Sequence, residues 1–171
     1  ETQIGALISE QHLQKVLSYI LIGKSEGANL VTGGERQFPD GCEGGFFISP
    51  AIFADCKDSM RIVREEIFGP VMAVLSFNSE SEVIYRANNT PFGLGAGIMT
   101  ADLSKAHRVA DKLDVGNIWI NSYNLIPSDW PFGGVKQSGF GRESSVCALE
   151  SYSQVKAPIS IIKIFSQAFL I

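Results

Sequence analysis

The chain is short of cysteine, histidine and charge. Its 171 residues hold three cysteines and two histidines, and 14 basic against 18 acidic residues leave a net charge of −4. Cys42, Cys56 and Cys147 form an odd, scattered set without CxxC spacing, so a reducing, cytoplasmic setting is the default. His12 and His107 lie far apart with no ligand spacing around them and read as surface histidines. The charges are mixed, with no basic stripe and no nucleic-acid motif, so no nucleic-acid partner is expected. No apolar stretch approaches the ~20 residues that span a bilayer. The nearest, 157–171, is interrupted by Lys163 and Gln167, and no membrane partner is expected. The opening ETQIGALIS lacks a basic n-region and an apolar h-region, so no signal peptide is expected; without a Met it reads as a cut edge or a processed product. There is no GxSxG, and no cysteine stands in a recognisable nucleophile context. Gly23-Lys24-Ser25 looks like the end of a P-loop, but the earlier glycine is replaced by Ser18 within an amphipathic helix. GLGAG (93–97) lies within a strand with no helix opening after it. Asn88-Asn89-Thr90 matches the glycosylation sequon and reads as an ordinary turn.

What remains is strongly patterned, and the length suits one soluble domain with a sizeable core. Leu13, Val16, Leu17, Ile20 and Leu21 share one face of a predicted helix over 9–26, with Ser9 as N-cap and Ile8 and Leu13 as a hydrophobic staple. Residues 33–45 are polar and turn-rich, hence a loop. FFISPAIFAD (46–55) predicts a strand that Pro50 pushes toward a sheet edge. A short helix is expected over 57–65, then a strand covered on both faces over 68–77. SESE (79–82) is a capping box, and the helix after it carries Val83, Ile84 and Ala87 until Pro91 ends it. A strand of small residues follows (93–100). Asp102 then caps a helix that turns Ala106, Val109, Ala110 and Leu113 inward, and a strand is expected over 116–123. This alternation predicts an α/β layered fold with a largely parallel sheet. No repeat or interdomain linker is evident. From Ser151 the chain turns β-rich.

REEIFGPV (64–71) sets two carboxylates directly before an apolar run. Charges at the mouth of a buried strand cost free energy unless they hold something. One reading is a solvated pair at a helix end. The other is a carboxylate that accepts both hydroxyls of a ribose, with Phe68, two residues after Glu66, offering a flat apolar wall on the same face. PFGGVKQSGFGRE (131–143) is equally unusual, with four glycines and three charged residues in one loop.

EEIFGPV, NNTPFGLGAGI, GNIWINSYN and PFGGVKQSGFGRE together, in this order and approximate spacing, resemble the NAD(P)-dependent aldehyde dehydrogenases. The likeness runs from about Gly5 to Lys156. It implies that Glu66 binds the nicotinamide ribose and that Phe68 packs beside it, with NAD or NADP as cofactor; Glu65 then faces solvent or a neighbouring base. INSYNLIPSDWPFGG is most like the betaine-aldehyde and aminoaldehyde branch, which makes Tyr123, Trp130 and Phe132 candidates to line the substrate tunnel. Aromatic faces suit a quaternary ammonium; simple core packing is the other reading of these rings. In the same branch the glutamate of GRE, here Glu143, joins a proton relay, and backbone carbonyls matching Lys136 and Gly139 bind potassium.

The resemblance further implies a small-molecule aldehyde as substrate and a parent enzyme that is a homodimer or homotetramer. The chemistry needs a cysteine thiolate to attack the aldehyde, and a glutamate general base to activate the water that releases the product. Neither motif is in this chain, and Cys42, Cys56 and Cys147 match no such position. The chain is therefore expected to be roughly the last third of such an enzyme, inactive alone. Residues 1–150 would be the C-terminal part of the catalytic domain, and 151–171 an oligomerisation-type strand with a divergent tail. YSQVK fits that strand. APISIIKIFSQAFLI does not, and reads as a divergent end, a disrupted frame or a buried partner strand. Two alternatives remain: a semialdehyde dehydrogenase of the same fold, or a non-catalytic oligomerisation or regulatory module.

Overall fold

Ser9 starts the first helix as its sequence suggests. Its backbone is extended, and its hydroxyl accepts from the His12 amide, satisfying a donor the first turn leaves open. Helix α1 (Glu10–Ser25) buries Leu13, Val16 and Ile20. These features come from a computed structural model that describes residues 4–160. The chain divides into two compact units, residues 1–90 and 91–171.

After α1, the first unit runs through β1 (Asn29–Thr32), β2 (Arg36–Gln37), β3 (Phe47–Ile48), β4 (Ala51–Ala54), α2 (Arg61–Arg64), β5 (Val71–Ala73) and α3 (Glu80–Asn88). One sheet has the order β1-β4-β5; β2 and β3 form a separate ribbon. β4 pairs parallel with β5, Phe53 opposite Ala73. Burial alternates along β4, so Ala51 and Phe53 enter the core while Ile52 and Ala54 face away. They meet Leu13, Val16 and Ile20 of α1, with Met60, Ile62 and Ile67 closing the cluster. Gly23 lets α1 approach closely, because a Cβ there would lie 3.0 Å from both Ile62 Cδ1 and Phe53 Cζ.

In the second unit, β6 (Gly95–Ile98), α4 (Leu103–Ala110) and β7 (Asn117–Ile120) make one parallel crossover, Gly95 opposite Asn117 and Ile98 opposite Ile120. Asp102 caps α4, as predicted, by accepting from the Lys105 amide at 2.9 Å. The small residues of β6 make room for an indole: a Cβ on Gly95 would stand 2.8 Å from Trp119 Cζ3. A short helix, α5 (Leu149–Tyr152), is the last regular element among the described residues.

Several expectations need correction. The sheet is mixed rather than largely parallel. Among the described residues, β1/β4 and β2/β3 are antiparallel and β4/β5 and β6/β7 are parallel. The connection from β1 to β4 holds only the β2–β3 ribbon, without the helical crossover that parallel neighbours need, so the chain returns antiparallel. The strand expected over 46–55 breaks at Ser49-Pro50. That over 68–77 shrinks to Val71–Ala73, because Pro70 has no N–H and Phe68 has φ of +57°. Within 151–171, Ser151 and Tyr152 close α5 and residues 153–160 form no regular structure within this single chain, while the oligomerisation-type strand expected there is one that pairs with another subunit. The rest of that stretch lies outside the described residues.

Candidate functional site

The two adjacent glutamates differ completely. Glu65 ends α2, its amide donating to the Arg61 carbonyl. The Arg61 guanidinium clasps its carboxylate with both forks, Nε to Oε1 at 2.8 Å and Nη2 to Oε2 at 3.0 Å. The Tyr19 hydroxyl donates to Oε2 at 2.8 Å. The Arg61 hydrogen bonds, followed by that of Tyr19, hold the Glu65 carboxyl well below the usual carboxylate range, at about 2. The same bond to Glu65 pushes the Tyr19 phenol up. Glu66, by contrast, is exposed and makes no hydrogen bond or ion pair with the described residues. Ile67 returns to the core, and Phe68 comes out again with 73% of its surface exposed. Phe68 is left-handed, which costs a bulky residue about 1–3 kcal/mol. Neighbouring contacts fix it there. His12 Nε2 lies 2.6 Å from the Phe68 carbonyl, and the two rings sit 6.1 Å apart at 36°.

In the second unit the glycine loop is closed at its base. Phe132 and Glu143 pair antiparallel, the Phe132 amide donating to the Glu143 carbonyl at 2.9 Å and the Glu143 amide donating back at 2.7 Å. Asn117, at the start of β7, reaches across with its amide: Nδ2 donates to the Pro131 carbonyl at 3.0 Å and Oδ1 accepts from the Gly133 amide at 3.1 Å. Arg142 Nη1 donates to the carbonyls of Gly134 and Gly141 at 3.0 and 2.6 Å. Ser138 Oγ accepts from the Gly93 amide at 2.9 Å. Glycine is required where the loop meets β7, since a Cβ on Gly116 would lie 1.7 Å from the Gly133 carbonyl oxygen. The closed loop borders an open cleft of about 620 Å³ that Phe132, Gly139, Phe140, Arg142, Glu143 and Tyr152 help to line.

The predicted residues fall into three places. Glu66 and Phe68 stand together at the entrance to β5. Phe132, Gly139 and Glu143 share the cleft of the second unit. Tyr123 and Trp130 do not line that cleft; both are exposed, and Tyr123 tilts against Trp119 with ring centroids 5.5 Å apart. Lys136 also lies outside the cleft lining, left-handed at φ +55°, its ammonium 3.3 Å from Asp114. His107 is exposed as expected, but His12 is half-buried and engaged, which corrects its reading as a surface group. His12, Tyr19, Arg61 and Asn117 escaped the sequence reading. The 12, 16, 19 spacing on one face of α1 was a usable signal for the first two; an asparagine at a strand end carried none.

The comparison with family models agrees with the resemblance that the four motifs carry. The chain belongs to the aldehyde dehydrogenase family, whose model matches residues 1–157. It is similar to the betaine aldehyde dehydrogenase of Rhizobium leguminosarum bv. trifolii, 58% identical, and to betaine aldehyde dehydrogenase 1 of Rhizobium meliloti, 59% identical; each alignment covers 91% of this chain and 32% of the relative. Among solved structures, an aldehyde dehydrogenase of Pseudomonas aeruginosa matches with a TM-score of 0.88 at 44% identity, covering 92% of this chain and 31% of that one. The betaine aldehyde dehydrogenase of Staphylococcus aureus in complex with NAD+ matches with a TM-score of 0.85 at 43% identity, covering 89% and 30%. The chain spans about a third of the length of the curated relatives it matches. No helix among the described residues is long and apolar enough to cross a membrane.

Proposed function

We propose that this chain is the part of a betaine-aldehyde-type dehydrogenase that contributes the nicotinamide-ribose contact and one wall of the substrate tunnel. The parent oxidises an aldehyde to a carboxylate with NAD or NADP. The observation that carries this reading is the asymmetry of the neighbouring carboxylates: Glu65 is saturated by Arg61 and Tyr19, while Glu66 is exposed and without a partner among the described residues, two positions before the exposed Phe68. An unpaired carboxylate can accept two ribose hydroxyls, and such charge-assisted bonds are the stronger kind. Phe68 supplies a flat surface that excludes water from one side of the adjoining ring. The bound nicotinamide supplies the hydride acceptor; this chain's residues orient it. Phe132, at the cleft, serves the trimethylammonium end of the substrate, and Tyr123 and Trp130, outside that cleft's lining, offer it further exposed ring faces. Glu143 serves as a proton relay at the cleft. Backbone carbonyls of Lys136 and Gly139 are the groups that would hold potassium, and no catalytic step is assigned to it.

The chain alone is proposed to be inactive. Cys42, Cys56 and Cys147 match no nucleophile position of the family, and burial pushes the Cys56 thiol up. The test uses two proteins. The isolated chain should produce no NADH from betaine aldehyde. Residues 1–157, exchanged for the matching third of the R. leguminosarum relative, should support turnover with preference for trimethylammonium aldehydes. In that enzyme Glu66→Gln should weaken NAD binding about 10- to 100-fold, as loss of a charge-assisted hydrogen bond does. Turnover by the isolated chain, or a Glu66→Gln enzyme with unchanged NAD affinity, would sink the proposal.

A further inference from the structure

The segment Glu65–Gly69 lies along a single stripe of α1. Residues 12, 16 and 19 are spaced by four and three, and so share a helix face. Each touches a different point of the segment. His12 Nε2 lies 2.6 Å from the Phe68 carbonyl. Val16 packs on Gly69 so closely that a Cβ there would lie 2.6 Å from Val16 Cγ2. The Tyr19 hydroxyl donates to Glu65 at 2.8 Å. From the core side Ile67 is buried at 7% exposure, which leaves Glu66 and Phe68 as the outward residues. A carbonyl can only accept, so His12 Nε2 carries the proton. Among the described residues the ring's other nitrogen is buried without a hydrogen-bond partner, and the Phe68 carbonyl is the imidazole's one polar anchor.

Resting on the reading of Glu66 and Phe68 as the cofactor contact, we propose that α1 is the splint of that contact, with His12 and Tyr19 as its positioning residues. His12 holds Phe68 in its left-handed conformation through the backbone carbonyl, and Tyr19 with Arg61 holds the preceding carboxylate away. The outward direction of Glu66 is thereby fixed from both ends. Left-handed phenylalanine persists only where the surroundings over-determine it, and His12 with the Val16–Gly69 contact does so.

The test uses the isotope-labelled 171-residue chain. Amide order parameters at Glu66, Ile67 and Phe68 should be near the rigid value of about 0.85, and should fall below about 0.6 in His12→Ala. His12→Gln, whose amide nitrogen reaches the same carbonyl, should restore them. Tyr19→Phe, which removes one hydroxyl, should loosen Glu65 and Glu66 alone. A long-range nitrogen–proton spectrum should show His12 protonated at Nε2. Nicotinamide mononucleotide is the ligand probe: His12→Ala should weaken its binding about two- to tenfold, the value of one hydrogen bond, and His12→Gln should recover it. The splint is overturned if 66–68 stays rigid in the His12→Ala, Tyr19→Phe double variant. It is equally overturned if order is lost throughout β4 as well, or if Nδ1 carries the proton. The two readings separate cleanly. Loosening by His12→Ala with no effect of Glu66→Gln on mononucleotide binding keeps the splint and removes the cofactor role; the converse pattern removes the splint alone.

Discussion

Phe53 is the third residue of β4 and Trp119 the third of β7. Phe53 is fully buried, while Trp119 stays partly open and anchors itself by donating from Nε1 to the Leu125 carbonyl at 2.8 Å. The contrast extends to the units around them. Residues 1–90 gather a contiguous core from α1, β4 and the turn after it, whereas Ala106 is the second unit's buried apolar side chain among the described residues. The second unit relies on side chains that grip backbone. Asn117 holds the glycine loop, Arg142 spans it, and Asn121 exchanges two hydrogen bonds of 2.9 Å with the backbone of Thr100. A two-stranded sheet is marginal in water by itself, so these grips carry weight that burial carries elsewhere. They also leave Tyr123, Trp130 and Phe140 exposed. One unit is organised to hold a short segment rigid against a packed helix; the other presents rings and backbone groups around a cleft.

The largest expected effect tests the core. Phe53→Ala removes a fully buried ring and should cost about 3–5 kcal/mol, read as a shift in urea unfolding followed by circular dichroism. Both tryptophans, Trp119 and Trp130, belong to the second unit. Their fluorescence therefore tests the comparison directly. A tryptophan transition that moves less than the dichroism signal supports separate modes of stabilisation; equal movement breaks the contrast. Gly116→Ala is the matching test of the second unit. Its Cβ would collide with the Gly133 carbonyl, and overpacking of this kind costs about 1–3 kcal/mol. The effect should centre on the glycine loop, as faster exchange of the Phe132 and Glu143 amides that now pair. Unchanged exchange there would mean that the loop does not depend on its contact with β7.

The sequence was most legible where a local signal and a buried face coincide. Ser9, Ser79 and Asp102 were readable as caps because a short polar side chain before an amphipathic run has one job. Leu13, Val16 and Ile20 were readable as one buried helix face by periodicity. β1 was not legible: NLVT is four residues long, and only Phe53 and Ala54 across the ladder give it a strand's pairing. The mixed sheet followed from that omission. At the site, motif resemblance pointed to Glu66 and Phe68 but not to what holds them, since His12 reaches Phe68 over 56 positions and Tyr19 reaches Glu65 over 46. Contacts at such separation have no local pattern. For Tyr123 and Trp130 the resemblance suggested a tunnel lining but not their exposure, which follows from the turns of their loop, with Asn121 and Asn124 left-handed.

The smallest effect concerns the saturated carboxylate. Glu65 ionises at about 2 in the folded chain against an ordinary value of 4.5, chiefly through Arg61. Between those values the unfolded chain binds the proton and the folded chain does not, so stability rises with pH across that window. The contribution is fully present above about 4.5 and is lost as pH falls through about 2. Glu65→Gln should therefore flatten this part of the stability–pH curve while leaving the neutral region nearly parallel to wild type. Because the pair is solvent-exposed, the change should be small and should shrink in high salt. Tyr19→Phe should reproduce a fraction of it, since the Tyr19 bond is the second cause of the shift. If Glu65→Gln leaves the acid limb unchanged, Arg61 does not hold the carboxylate in solution. The difference between Glu65 and Glu66, on which the cofactor reading stands, would then have to be sought in their orientation and not in their pairing.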